Sequence, residues 1–176
     1  MGTINDDVLI GGAEDDDLDG EGGQDQLVGA AGDDTLSGGT GDDDLDGGVG
    51  DDTLFGGDGQ DQLSGGEGED IVAGGEGDDL IDGGADDDTL VGDVGNDTFV
   101  FDEDSGTDLI LDFETESAAD VIDLTAFGLS NVEEALDAVV GATVGDTASS
   151  AIVIGDTEIV LFGVTADEIT TGDFLI

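Results

Sequence analysis

Residues 38–57 read GGTGDDDLDGGVGDDTLFGG, two successive copies of a nine-residue phrase rich in glycine and aspartate with one recurring apolar position. Stepping by nine in both directions shows how far the phrase extends. Glycine stands at every ninth position from Gly2 to Gly92 and aspartate at every ninth position from Asp7 to Asp97. Two residues after each aspartate comes an apolar side chain: Leu9, Leu18, Leu27, Leu36, Leu45, Leu54, Leu63, Val72, Ile81, Leu90 and Phe99. Eleven units therefore tile residues 2–100. Such a unit is not helical, because each interior glycine costs a helix about 1 kcal/mol relative to alanine. Glycines at the first, second and fourth places instead allow positive φ, and the last three residues form a short strand that points its central side chain to one face. Two units make one coil of a solenoid, and stacked coils bury an apolar ladder while aligning aspartates in rows along both edges.

The chain has 176 residues, 49 of them Asp or Glu, and no Lys, Arg or His, for a formal charge of −49. No internal ion pair to a basic side chain can form. Such a polyanion is repelled by nucleic-acid phosphates and by anionic lipid, which argues against nucleic acid and membrane insertion as modes of action. With 7 Phe, no Trp and no Tyr, low hydrophobicity and high charge predict disorder for the unaided chain. Cysteine is absent, so there are neither disulfides nor thiolate metal sites. The N-terminal GTINDDVLIGG has no basic or apolar leader region.

One apolar side chain per nine residues is too thin a core to outweigh repulsion among the 31 acidic groups of residues 2–100. The missing counter-charge must come from outside. Calcium accepts six to eight oxygens, carboxylate and carbonyl together, in irregular cages; magnesium demands a stricter octahedron and retains water. Zinc prefers His or Cys. If each ion lies between the turns of units n and n+2, eleven turns provide about nine Ca2+ sites, and folding is coupled to ion binding.

The phrase GGTGDDDLD, GGVGDDTLF resembles the glycine- and aspartate-rich nonapeptide GGxGxDxUx of the RTX, or hemolysin-type, calcium-binding repeat family, throughout residues 2–100. The resemblance implies an all-β fold, a right-handed parallel β-roll that is a calcium-binding β-solenoid, followed by a C-terminal β-rich cap with a short helix. It implies metal ligation by Asp7, Asp16, Asp25, Asp34, Asp43, Asp52, Asp61, Asp70, Asp79, Asp88, Asp97 and Asp108. Backbone carbonyls of the turns would join them, at Gly38, Gly39, Gly41, Gly47, Gly48, Gly50, Gly56, Gly57, Gly59, Gly65, Gly66, Gly68, Gly74, Gly75 and Gly77. Departures are Asn5, Glu14 and Asp86 at the fourth position, and Thr3, Glu21, Ala30 and Asp93 at the second. The Glu14 turn is the most compromised, which predicts a frayed first coil.

After Val100 the period stops and glycine falls from 27 in the first 100 residues to 7 in the last 76. Residues 1–100 are thus expected to form the roll, and 101–176 a capping and secretion-signal region. The tail predicts strands over 108–113 and 120–124, a helix opened by Asn131 with Glu134 and closed by Gly141, and a hairpin about Gly155-Asp156. GNDTFVF, GTDLILDF, DVIDLTAFG and the final Asp173-Phe174-Leu175-Ile176 are similar to the flank of serralysin-type secreted proteins. That similarity implies an uncleaved C-terminal signal read by a type I secretion machine and a secreted, extracellular protein; Phe174–Ile176 would equally serve as a last strand of the cap.

No nucleophile–histidine constellation, Schiff base or phosphate clamp can be built without His, Cys, Lys or Arg. Paired carboxylates could serve glycoside hydrolysis, but no aromatic sugar platform is evident. The expectation is a non-enzymatic, calcium-folded secreted protein, with a role in a cell-surface or biofilm matrix. The alternative is the calcium-folding and export module of a larger protease, lipase or epimerase; an acidic template for mineral growth is a third reading. Thr35, Thr53 and Thr89 with Ile71, beside Ser37, Phe55, Ala73 and Val91, share one outer strand face, read as ordinary strand propensity rather than an ice-binding surface.

Overall fold

In the computed structural model, which describes residues 1–103, 105–115, 120–144 and 147–176, every nonapeptide contributes one strand and the chain alternates between two parallel sheets. In chain order the strands are β1 (Val8–Gly12), β2 (Asp17–Asp19), β3 (Gln26–Ala31), β4 (Thr35–Thr40), β5 (Asp44–Val49), β6 (Thr53–Asp58), β7 (Gln62–Glu67), β8 (Ile71–Glu76) and β9 (Leu80–Ala85). They continue with β10 (Thr89–Val94), β11 (Thr98–Val100), β12 (Thr107–Ile110), β13 (Val121–Asp123), β14 (Val139–Val144), β15 (Thr147–Ile154), β16 (Thr157–Leu161) and β17 (Phe174–Leu175). The first sheet runs β1-β3-β5-β7-β9-β11-β13-β17, and the second β14-β15-β16-β12-β10-β8-β6-β4-β2.

The register is the sequence period made visible. Leu27 pairs with Leu45, Leu45 with Leu63 and Leu63 with Ile81 in the first sheet; Leu36 pairs with Leu54 and Leu54 with Val72 in the second. Each step is 18 residues, so two nonapeptides form one coil. These side chains face inward between the sheets, and Leu27, Leu36, Leu54, Val72, Ile81, Leu90 and Phe99 are fully buried. Leu9 and Leu18 are only partly buried, because no coil lies below the first.

The strands are longer than the three residues expected. In β4 the pairs to β6 are Thr35, Leu36 and Ser37, then Gly39 and Thr40, with Gly38 unpaired between them. The ladder thus turns a corner at the first-position glycine and continues through the second and third positions. From Glu21 onward that continuation runs through left-handed backbone at the second position. Gly48 has φ 111°, and where the phrase lacks glycine the substitutes Glu21, Ala30 and Asp93 adopt 68°, 86° and 66°, at about 1 kcal/mol or more each. At the fourth position Asp86 adopts 81°, whereas Asn5 and Glu14 do not enter this region, and the turns that hold them depart from the pattern.

Beyond Val100 both sheets continue unbroken, with β12 and β16 extending the second sheet in parallel and β13 and β17 extending the first. The hairpin of β15 and β16 turns at Gly155-Asp156, as the sequence predicts. A helix, α1 (Val132–Ala138), is capped by Asn131, whose side chain accepts from the Glu133 N–H; Glu134 accepts from Ser130 rather than closing back on Asn131. The expected stop at Gly141 is not where α1 ends. The chain leaves the helix after Ala138, and Gly141 sits inside β14, because the β-branched pair Val139-Val140 enters the antiparallel ladder against Ile152 and Ala151. Ala135 of α1, Ile152, Ile159, Leu161, Ile169 and Phe174 close the end of the core. Phe174 is 5 % exposed and pairs through β17 with Ile122, so the last residues form a strand of the cap.

Replacing Gly47 by alanine would place a Cβ 2.5 Å from Asp52 Oδ2 and 2.6 Å from the Gly65 carbonyl oxygen, whereas a Cβ on Gly141 meets nothing within 4 Å. Gly47→Ala is expected to destabilise the calcium-loaded protein by about 1–3 kcal/mol, the usual size of an overpacking penalty. Gly141→Ala should be close to neutral, and urea unfolding monitored by circular dichroism compares the two.

Candidate metal centre

Each position-six aspartate precedes a strand, at the point where the chain leaves a glycine turn, and its side chain folds back into that turn. The result is two columns of carboxylates, one along each edge of the roll. On one edge the Asp7, Asp25, Asp43, Asp61 and Asp79 N–H groups each donate to Oδ1 of the aspartate one coil further on, at 2.7 to 2.9 Å. On the other, Asp16, Asp34, Asp52 and Asp70 donate in the same way at 2.6 to 2.9 Å, and Asp88 reaches Asp108 at 3.0 Å. From Asp25 through Asp108, every predicted aspartate is buried to 3 % exposure or less; Asp7 and Asp16, in the first coil, are only half-buried.

Only one oxygen of each carboxylate is used in this way. Among the described residues, Oδ2 of Asp25, Asp34, Asp43, Asp52, Asp61, Asp70, Asp79, Asp88 and Asp108 is buried with no hydrogen-bond partner. A buried, unpaired ionised oxygen is costly, and all of these except that of Asp108 point at the first-position glycine of their own turn. For most of them the first-position carbonyl one coil on faces the same space: Gly38, Gly47, Gly56, Gly65 and Gly74 present their oxygens beside Asp25, Asp34, Asp43, Asp52 and Asp61, respectively. Fourth-position carbonyls of Gly41, Gly50 and Gly59 stack toward Gly59, Gly68 and Gly77 one coil above. Second-position carbonyls of Gly39, Gly48 and Gly57 likewise stack toward Gly57, Gly66 and Gly75, on which these residues are registered in the ladder.

The donor set is therefore all oxygen, anionic and carbonyl mixed, and lies between the turns of units n and n+2. No three acidic side chains converge on one point among the described residues, so a cation here would depend on backbone carbonyls as much as on carboxylates. That chemistry fits calcium: hard oxygen donors, both charged and neutral, in a flexible loop.

Burial pushes the carboxyls up. Asp61, Asp97 and Asp108 rise to about 7, Asp88 to about 8 and Asp70 to about 6, chiefly through desolvation. The backbone N–H bond from the preceding coil pulls each down, and the neighbouring carboxylates push it up. Asp43, Asp52 and Asp79 are raised for the same first reason.

Two sets of residues lie in the site that the period of Asp7 alone does not identify. Asp120 ends the first column: Oδ1 accepts from Asp97 N–H at 3.0 Å and Oδ2 from Glu114 N–H at 2.8 Å. Its signal is the aspartate-plus-two apolar rule, since Ile122 follows it as Ile110 follows Asp108. The second set is the fifth position, where stepping by nine from Asp6 gives an unbroken series of side-chain acceptors down to Asn96. Asp6, Asp42 and Asp78 accept from Gln24, Gln60 and Asn96 N–H groups, and Asp15, Asp33 and Asp51 from Asp33, Asp51 and Glu69, at 3.0 to 3.2 Å.

The model of the RTX calcium-binding nonapeptide repeat matches the chain four times, at residues 1–36, 28–63, 37–72 and 64–99. No curated protein sequence matches it. Among solved structures, the extracellular lipase LipA from Serratia marcescens has a TM-score of 0.58 at 20% identity, over 100% of this chain and 39% of the lipase. The R2 subunit of the mannuronan C5-epimerase AlgE6 from Azotobacter vinelandii has a TM-score of 0.54 at 31% identity, over 72% of this chain and 88% of that subunit. The chain thus spans about two fifths of the lipase.

Acid should substitute in part for metal. The folded metal-free turns hold protons that the unfolded chain, with carboxyls near 3.8, has released. Stability from this source is full below about pH 4 and is lost as pH rises through the folded values of about 6 to 8. In chelator, the strand signal in circular dichroism is expected to grow as pH falls from 8 to 4. Asp61→Asn, which keeps an Oδ1 acceptor for Asp43 N–H and removes a buried charge, should flatten that rise and raise the calcium concentration needed for folding at pH 7.

Proposed function

The chain belongs to the family of RTX calcium-binding nonapeptide repeat proteins, and from that premise we propose that it is a non-enzymatic protein that at neutral pH folds only when calcium fills the turns of its roll. The observation that carries this reading is the set of nine buried, partnerless Oδ2 atoms, those of Asp25 to Asp88 turned into a glycine corner. Bound calcium supplies positive charge to those oxygens and to the carbonyls facing them. The ligands proposed are the position-six aspartates from Asp25 to Asp97 and Asp108, with the first-, second- and fourth-position turn carbonyls, for about nine ions. Asp7 is a weaker candidate, because its Oδ2 already accepts from Thr3 N–H and Oγ1 at 2.7 and 2.8 Å.

This coupling suits a chain that is exported unfolded. Where calcium is scarce, 49 like charges hold the polypeptide open; where it is plentiful, the aspartates lose their mutual repulsion and the ladder closes. We assign the protein to the extracellular space, with export through a type I machine that reads the C-terminal region and a structural role in a cell-surface or biofilm matrix. The family match and the extracellular lipase among its structural neighbours support export. A second reading is favoured by one finding: the chain covers 39% of that lipase, which fits the folding and export module of a larger secreted enzyme. An in-frame catalytic domain encoded upstream would decide for it.

Calorimetric titration with calcium at pH 7 tests the coupling. Binding of several ions is expected, with a steep gain of strand signal and half-saturation on the order of 10⁻⁴ to 10⁻³ M, as for other extracellular modules. Magnesium at the same concentration should leave the chain unfolded. A fully folded spectrum in chelator at pH 7 would sink the proposal.

A further inference from the structure

The outer faces of the two sheets differ in charge. On the first sheet the outward positions of successive strands include Asp44 and Asp46, Gln62 and Ser64, Leu80 and Asp82, and Asp123. On the second sheet the same positions are Asp17 and Asp19 on the edge strand β2, and then Thr35 and Ser37, Thr53 and Phe55, Ile71 and Ala73, Thr89 and Val91, and Leu109 and Leu111. Across the five neighbouring strands β4, β6, β8, β10 and β12 not one of these is charged, in a chain carrying 49 carboxylates. The apolar groups are accessible: Phe55 is 45% exposed, Ile71 48% and Leu111 40%.

The long sides of this strip are acidic. Where the strands begin, the exposed fifth-position residues Asp33, Asp51, Glu69 and Asp87 form one rim; where they bend away, exposed Asp58 and Glu76 form part of the other. Five strands at about 4.8 Å make the strip roughly 20 Å long, and three residues at about 3.3 Å make it roughly 10 Å wide. That is on the order of 200 Å², against about 800 Å² per partner in a stable protein–protein interface. A second copy of this chain is excluded as the occupant on both counts, since it brings too little area to the strip and the same negative charge.

We propose that the outer face of the second sheet between Thr35 and Leu111 is a docking strip for a short cationic amphipathic segment of another protein. Its apolar side chains would cover Phe55, Ile71 and Val91 while its Lys or Arg side chains reach the two acidic rims. A neutral, flat centre between anionic rails is complementary in both shape and charge to such a segment. A purely basic partner would have no reason to prefer this face over the rest of the surface.

The test uses the calcium-loaded protein and a synthetic twelve-residue peptide of alternating Leu and Lys with one Trp, whose fluorescence is not obscured because the protein has no Trp. A peptide with Ser in place of Leu controls for charge alone. The Leu-Lys peptide is expected to bind at least about tenfold more tightly than the Ser-Lys peptide. Binding should fall about tenfold in Phe55→Asp/Ile71→Asp and stay unchanged in Leu80→Asp on the opposite sheet, with calcium-induced circular dichroism confirming that each variant folds. Should both peptides bind alike, or should Leu80→Asp weaken binding as much as the strip variant, the attraction is that of a polyanion and the proposal fails. Dimerisation of the free protein that Phe55→Asp/Ile71→Asp abolishes, read by sedimentation, would equally overturn it in favour of a second copy. Failure of calcium-induced folding would be read separately, from the spectrum before peptide is added.

Discussion

Everything in the roll is organised around one contact, the N–H of an aspartate donating to the carboxylate of the aspartate one coil on. This bond replaces a backbone acceptor with a side-chain oxygen at the place where the chain leaves the turn. Because it uses only Oδ1, it fixes where Oδ2 must lie: inward, against the first-position glycine, facing the carbonyl of the next coil. Stacking, burial and charge are therefore a single feature. A coil cannot be added without burying one more anionic oxygen on each edge, and the core leucines contribute too little to offset that alone. On the proposed calcium-coupled reading, ion binding and coil addition are the same event.

The ends of the columns show how the chain stops this propagation. At the start of the first column Asp7 has no aspartate below it, and Thr3 supplies the missing donors from its own turn. At the far end Asp120 receives both Asp97 N–H and Glu114 N–H, so protein amides satisfy both oxygens and no buried atom is left over. The second column has no such closure: Asp108 accepts from Asp88, and its Oδ2 stays partnerless. The two edges thus finish differently although the repeats that build them are alike. The spacing stretches to 20 residues before Asp108 and 23 before Asp120, which shows that the column tolerates a longer connection as long as the aspartate returns to its place.

Much of this was legible in the residues. A strict period of nine, glycine at fixed places and one apolar side chain per unit leave a parallel two-sheet solenoid with inward leucines and aspartates in rows as the consistent reading. The length of the strands was not legible, since pairing through Gly39 and Thr40 depends on the partner coil's carbonyls rather than on strand propensity. Nor was the end of α1: Gly141 is a good stop signal locally, but the ladder formed by Val139 and Val140 with β15 outweighs it. The fifth-position acceptors were present in the period but hidden by their variety, because Asp, Gln, Glu and Asn alternate there and only their shared acceptor chemistry unites them. The cap was the least legible part, because its contacts join segments far apart in the chain without a repeat to announce them.

The first-position glycine is the strictest element of the phrase for a steric reason that differs from the usual one. At the second and fourth positions glycine serves backbone angles and also leaves room for a carbonyl of the preceding coil, yet Glu21, Ala30, Asp86 and Asp93 show that other residues can be forced into them. At the first position the backbone is unstrained, as Gly47 shows; the missing Cβ makes room for the carboxylate and the next carbonyl. A substitution there would fill the space that the buried Oδ2 and the next coil's carbonyl share. A position that tolerates backbone strain can vary, as the second does four times in this chain, whereas a position that holds the shared cavity cannot. That explains why the eleven glycines from Gly2 to Gly92 are unbroken while every other glycine in the phrase has exceptions.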